Sequence, residues 1–228
     1  VKFSRKIFSS KFFMNRFNVK EIQKFSDLKD LLISSNVDYD LVLIEKAFSY
    51  AYEIHKNQKR YSGHYITHVL TVAAYIARLK LDTTSVAAAL LHDTIEKGTA
   101  TIEDVDKQFG TEIAFIVDGV SNIRKFTSKI TDDQKDIESF KHIIFNATED
   151  IRILIIRIAE KIHSTLTLHF LPQADQIKSA TRTLKIYAPL AEYLGLGAFQ
   201  RVMEDMAFKI VNPNEYNFIE AQVEKYFR

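Results

Sequence analysis

The chain has 228 residues, enough to bury a core of its own, and its 46% hydrophobic and 26% charged residues are ordinary globular usage. Six glycines and three prolines, about 4% of the chain against a usual ~12%, argue against sandwiches, barrels and glycine-rich phosphate loops. Cysteine is absent, which excludes disulfides, thiolate zinc sites, iron–sulfur clusters and a cysteine nucleophile, and permits a reducing cytosol.

The net charge of +2 is unevenly placed. Residues 1–20 carry Lys2, Arg5, Lys6, Lys11, Arg16 and Lys20 and no acid; the rest of the chain holds 25 basic against 29 acidic residues. A broad nucleic-acid surface is therefore not expected of the body. The basic N-terminal stretch also holds Phe3, Phe8, Phe12, Phe13 and Phe17. It reads as a poorly ordered tail or upstream extension before a start at Met14, or alternatively as a transit-like or membrane-surface segment. No apolar run approaches the ~18–20 residues that span a bilayer.

The body reads as successive helices. Asp40 caps one that runs to about Asn57, with Leu41, Ile44, Phe48, Ala51, Tyr52 and His55 at 3/4 spacing. A break at Tyr61–Tyr65 precedes a helix from about Thr67 to Leu79. An Ala/Leu-rich, buried helix is expected from about Thr83 to Glu96, ended by Gly98. Thr101-Ile-Glu-Asp104 is a cap before a short helix that stops at Gly110. Thr111–Val120 reads as helix and the polar residues 121–133 as a loop. Further helices are expected over Asp133–Ala147, Asp150–Leu168, Gln173–Ala188 and Leu196–Val211, and Asn212-Pro213 signals one more start. Alternation at period two is scarce, so the fold class is all-α.

Seven histidines are present, and any one alone reads first as a surface or satisfied core residue. His92-Asp93 differs, because it closes the run Val86-Ala-Ala-Ala-Leu-Leu91. An imidazole and a carboxylate ending a buried apolar helix need something to offset their desolvation. A divalent cation does so, and these donors suit Mn, Fe or Zn. His68 opens its own helix, and Glu160 follows the equally apolar run that starts at Ile153. Three helices can thus bring His68, His92, Asp93 and Glu160 to one cation.

These residues resemble the metal pattern of the HD phosphohydrolase superfamily. Gln58-Lys-Arg60-Tyr-Ser62-Gly63, Tyr65-Ile-Thr-His68, Ala88-Ala-Leu-Leu-His92-Asp93-Thr-Ile-Glu96, Phe109-Gly110, Val117-Asp118-Gly119-Val120 and Ile186-Tyr-Ala-Pro-Leu-Ala191 resemble, in order, the RelA/SpoT homologue family, which makes and degrades the alarmones ppGpp and pppGpp. The resemblance covers about residues 40–222. It implies an HD-domain helical bundle over 25–172, after the N-terminal segment 1–24. A C-terminal helical extension over 173–228 would lead toward a synthetase domain that this chain lacks.

The resemblance further implies a metal, Mn²⁺ or another divalent cation, on His68, His92, Asp93 and Glu160, and a catalytic pair directly after the HD motif, here Glu96 and Lys97. It places the nucleotide against Arg60, Tyr61 and Ser62 and against Ser164 and Thr167. The activity implied is hydrolysis of the 3′-pyrophosphate of (p)ppGpp to GDP or GTP in the stringent response, in the cytoplasm, with a nucleotide substrate, no bound nucleic acid and no membrane span. Several positions depart from the pattern. Lys97 stands where the family has Asp, and Glu160 replaces an Asp ligand. Ser164 and Leu166 stand where the family has Asn and Arg, and Val69 follows His68 in place of Pro. They motivate an alternative, a degenerate pseudo-hydrolase that serves as a regulatory or docking module of a longer synthetase.

Overall fold

A computed structural model of the chain describes residues 21–60, 63–129 and 149–226. The expected helix over 133–147 and residues 1–20 of the N-terminal segment lie outside them. The described residues are almost wholly helical, with one two-stranded antiparallel ribbon. They fall into two compact units, 21–160 and 161–226.

The first unit begins with α1 (Phe25–Ser34), which the helix-by-helix reading of the sequence passed over, and α2 (Leu41–His55). Asp40 caps α2 by accepting from the Leu43 amide at 3.0 Å, which satisfies a helix-start donor. Ile44, Ala47, Ala51 and His55 form its buried stripe, while Tyr52 is exposed. Phe25 stacks on Phe48 with centroids 4.4 Å apart and joins α1 to α2. The expected break at 61–65 is flanked by a two-stranded antiparallel ribbon: β1 (Lys59–Arg60) pairs with β2 (Gly63–His64), Lys59 opposite His64.

Helix α3 (Tyr65–Arg78) buries every residue from His68 to Ala77. Helix α4 (Thr83–Leu91) buries Ser85 through Leu91 and packs against α2, α3 and α6. A helix apolar all round belongs at the centre of a core, and α4 occupies that place. Its N-cap is Asp82, which accepts from the Ser85 amide at 2.9 Å. The helix ends at Leu91 and not near Glu96; His92 through Gly98 follow as tight turns, with Thr94 N–H donating to Leu91 O at 3.0 Å and Lys97 N–H to Asp93 O at 2.9 Å. Gly98 permits this path, because a Cβ there would lie 2.3 Å from the Thr94 carbonyl oxygen.

Helix α5 (Ile102–Phe109) opens on the expected capping box, Thr101 with Asp104. Gly110, at φ +88°, turns the chain into α6 (Thr111–Lys129). The structure corrects the loop expected over 121–133: α6 continues without a break through Lys129. The stretch looks polar because Asn122 and Lys125 face outward and two of the residues it buries, Ser121 and Thr127, are themselves polar. Helix α7 (Ile151–Leu166) carries the apolar run with Glu160 near its centre, and the division between the two units falls after that residue.

In the second unit, a 3₁₀ turn at Leu168–Phe170 leads to α8 (Gln173–Arg182), α9 (Ala188–Tyr193), α10 (Gly197–Val211) and α11 (Pro213–Tyr226). The single helix expected over Gln173–Ala188 is interrupted by a wide π turn, Thr183–Tyr187. Pro189 explains the break, since it lacks an amide hydrogen and its ring crowds the preceding turn. Leu168, Ala180 and Ala207 form a small core, covered by Leu171, Leu184, Ile210 and Val211. Among the described residues no helix is long and apolar enough to cross a membrane.

Candidate metal centre

Three elements of the first unit position the site. His68 lies one turn into α3, His92 caps the end of α4 with Asp93 next to it, and Glu160 sits on α7 after Ile158 and Ala159. All four side chains are buried. One ligand atom each from His68, His92 and Glu160 lies within 4.8 Å of the others. Two ligands bound at ~2.0–2.6 Å stand no more than about 5 Å apart across an ion, so this spacing suits a shared cation. Asp93 Oδ2 is 3.3 Å from His92 Nε2 and 3.6 Å from His68 Nε2, which sets the fourth candidate beside the two imidazoles.

The donors fit a metal in a second respect. His92 directs Nδ1 to the Ala89 carbonyl at 2.7 Å, which turns buried Nε2 toward Asp93 Oδ2. A ring held through one nitrogen with the other aimed at the neighbouring donors is the usual posture of a metal-binding imidazole. Burial lowers the His92 pKa, but the Asp93 carboxylate outweighs it and raises the value. For Asp93 burial acts upward, and His92 and Arg124 overcome it, holding the carboxyl well below the ordinary range.

Basic side chains enter the cluster at points the sequence did not reveal. Arg124 Nη1 contacts Asp93 Oδ1 and lies 3.1 Å from Glu96 Oε2, and its Nη2 is 2.7 Å from Glu160 Oε1. Arg157, one turn before Glu160 on α7, contacts Glu160 Oε2. Burial would raise the Glu160 pKa, yet Arg157 and Arg124 drive it far below the usual carboxylate range. Arg124 could have been found only by extending the helical period beyond Val120. Arg157 carried an i, i+3 signal toward Glu160.

Tyr65 is a further member, with its hydroxyl donating to Asp93 Oδ2. Its ring stacks on buried His55, centroids 4.7 Å apart at 20°, and His55 Nδ1 is 2.9 Å from Gln58 Oε1. Arg60 lies over the same tyrosine ring, its guanidinium carbon 5.6 Å from the centroid. Strand β1 thus brings Arg60 to the tyrosine that touches Asp93. Tyr61 and Ser62 lie outside the described residues.

Glu96 borders the cluster with its side chain one-fifth exposed. Lys97 does not join it in the same way: its side chain is half exposed, and its ammonium lies 3.9 Å from Glu96 Oε1. Ser164 and Thr167 belong to the second unit, where Thr167 Oγ1 donates to the carbonyls of His163 and Ser164 at 3.1 and 3.2 Å.

Comparison with known proteins places this geometry in a family. A family model described as HD domain matches residues 47–197. The chain is 38% identical over 191 residues to a GTP pyrophosphokinase of Myxococcus xanthus, covering 82% of this chain and 25% of that protein. It is 36% identical over 182 residues to a Synechocystis protein named probable guanosine-3′,5′-bis(diphosphate) 3′-pyrophosphohydrolase, covering 79% and 24%. The chain therefore spans about a quarter of the length of the curated relatives it matches. A solved structure described as a metazoan ortholog of SpoT that hydrolyzes ppGpp aligns with a TM-score of 0.54 at 22% identity, over 76% of this chain and 97% of that one, a likeness of fold.

Proposed function

Because the chain belongs to the HD-domain family and carries the HD region of the RelA/SpoT homologues, we propose that it hydrolyses the 3′-pyrophosphate of ppGpp and pppGpp with a bound divalent cation. The observation that carries this reading is the convergence of His68, His92, Asp93 and Glu160 with Glu96 at their edge. His68, His92, Asp93 and Glu160 would hold the cation, Mn²⁺ in the first instance. When bound, such an ion lowers the pKa of water and supplies a nucleophile near neutral pH.

The chain's own residues do the rest. Glu96, partly exposed beside the ligands, orients the attacking water and accepts its proton. Water adds to phosphorus, the bond to the 3′ oxygen breaks, and that oxygen takes up the proton Glu96 accepted to become the 3′ hydroxyl of GDP or GTP, while the phosphoryl group departs as pyrophosphate. Tyr65 holds the Asp93 carboxylate in place. Arg60 offers a planar cation that can lie against guanine, with Tyr61, Ser62, Ser164 and Thr167 as further nucleotide contacts. Lys97, half exposed with its ammonium near Glu96, is not placed to activate water. The setting is proposed to be the cytoplasm, within a longer protein that also bears a synthetase domain.

A second reading has its own support. Both oxygens of Glu160 already face guanidinium groups, which favours a module that binds the alarmone and signals without cleaving it. Pyrophosphate release from ppGpp with Mn²⁺, by the wild type, His92→Ala and Glu96→Ala, decides between them. Release that is lost in both variants supports the hydrolase. Binding of ppGpp without release supports the regulatory module.

A further inference from the structure

Arg124 spans three acids with one side chain. Its Nη1 touches Asp93 and approaches Glu96 to 3.1 Å, and its Nη2 reaches Glu160 at 2.7 Å. Two of these acids are candidate metal ligands. Glu160 has its other oxygen on Arg157, and the second oxygen of Asp93 accepts from Tyr65. With Arg124 in this position every oxygen of the two ligand carboxylates already lies against a guanidinium or a hydroxyl.

The charge balance makes the same point. Asp93, Glu96 and Glu160 bring three negative charges, and Arg124 and Arg157 bring two positive ones. Adding a dication to that set leaves a buried net positive charge, which is costly where water is excluded. Exchanging Arg124 for the dication leaves the set neutral. The two arginines differ in their freedom to leave. Arg157 is fixed one turn from Glu160 on the same helix, whereas Arg124 reaches the acids from α6, a helix that carries none of the three. Its long unbranched stem can swing outward without moving the helix.

We propose that Arg124 is an internal counter-cation of the centre, competing with the divalent metal for Asp93 and Glu160, so that metal entry requires its guanidinium to withdraw. The inference rests on the metal-dependent reading above. It assigns Arg124 two measurable effects. Without metal it stabilises the cluster, and with metal present it weakens the apparent affinity.

The test uses the full chain and Mn²⁺ alone, titrated calorimetrically into the wild type, Arg124→Gln and Arg124→Lys. Arg124→Gln should tighten Mn²⁺ binding by roughly tenfold or more, the scale of one charge-assisted contact. Arg124→Lys, a point charge that cannot bridge three acids, should fall between them. Melting temperature without Mn²⁺ should drop in Arg124→Gln and recover more than the wild type on saturation. An Arg124→Gln protein that folds and binds Mn²⁺ no tighter than the wild type overturns the proposal.

Should Arg124→Gln not fold, the side-chain N–H resonance of Arg124 in the wild type, assigned by its loss in Arg124→Lys, is followed during Zn²⁺ titration. Release predicts a shift that saturates with binding; a resonance unmoved by bound Zn²⁺ refutes it. Pyrophosphate release keeps the two readings separable. Hydrolysis by the wild type with unaltered Mn²⁺ affinity in Arg124→Gln keeps the hydrolase and removes the competition. Tighter Mn²⁺ binding with no hydrolysis does the reverse.

Discussion

Gln58 Nε2 donates to the backbone carbonyl of Lys97 at 2.8 Å, across 39 positions of sequence, and so ties the end of α2 to the turn after His92-Asp93. Lys97 is therefore held by its backbone, and its half-exposed side chain is not needed to shape the turn. Lys97→Ala should change pyrophosphate release by no more than about fivefold, the scale of an exposed ion pair. Glu96→Ala should lower it by about 10²–10⁴-fold, the worth of a positioned base. Parallel steady-state assays with Mn²⁺ check both, and a large loss in Lys97→Ala would show that its ammonium does bind substrate.

Tyr65→Phe removes the hydroxyl on Asp93 Oδ2 and leaves the ring on His55 and beneath Arg60. Outer partners of metal ligands typically contribute about 10–100-fold to metal affinity. Calorimetric titration of Mn²⁺ should show a loss of that order with unchanged helical content. Equal affinities would reduce Tyr65 to a packing role.

Gly119 is where α6 comes closest to Ile153 of α7: a Cβ there would meet Ile153 Cδ1 at 2.4 Å. Gly119→Ala should destabilise by about 1–3 kcal/mol through overpacking, offset in part by the ~1 kcal/mol helical preference for alanine. In an Ile153→Ala background the same change should become neutral or stabilising. Urea unfolding of the four proteins measures the coupling, and strict additivity would contradict the contact.

Arg152 joins three acids on the first unit, with 2.6 Å to Asp150, 2.7 Å to Glu112 and 2.9 Å to Asp82. Its hydrogen bonds lower the Asp150 pKa against the effect of burial. At Asp82 burial acts upward, but Ser85 and Arg152 outweigh it, so that pKa is lowered as well. Carboxylates with depressed folded pKa values stabilise fully above the unfolded value of about 4, and that contribution is lost as pH falls through the folded values. Arg152→Ala should lower stability at pH 7 by about 1 kcal/mol, a small figure because the network is partly exposed. The difference from wild type should shrink on acidification from about pH 5 to 3. A difference that grows in acid would have the wrong sign.

The helical architecture and the candidate ligands were accessible from residues alone. Apolar periodicity marked α2, α3, α4 and α7, and the oddity of His92, Asp93 and Glu160 closing apolar runs singled them out before any contact was known. The capping box at Thr101 and Asp104 was equally local. Expectations failed where local appearance and burial part company. The polar face of α6 past Val120 resembled a loop because its outward residues dominate the composition. The turns after Leu91 depend on Gly98 lying against the Thr94 carbonyl, which helical periodicity does not register.

Which elements are helical and which polar groups must be buried both follow from the period of apolar residues along the chain. Which charges balance those groups depends instead on how the helices pack. Arg124, Arg157 and Tyr65 complete the centre, while Lys97 sits at its rim. A buried carboxylate accepts any cation or donor within reach, and reach is set by how closely helices approach. At Gly119 and Ile153 that approach is close enough to bring α6, and with it Arg124, onto Asp93 after α4 and Glu160 on α7.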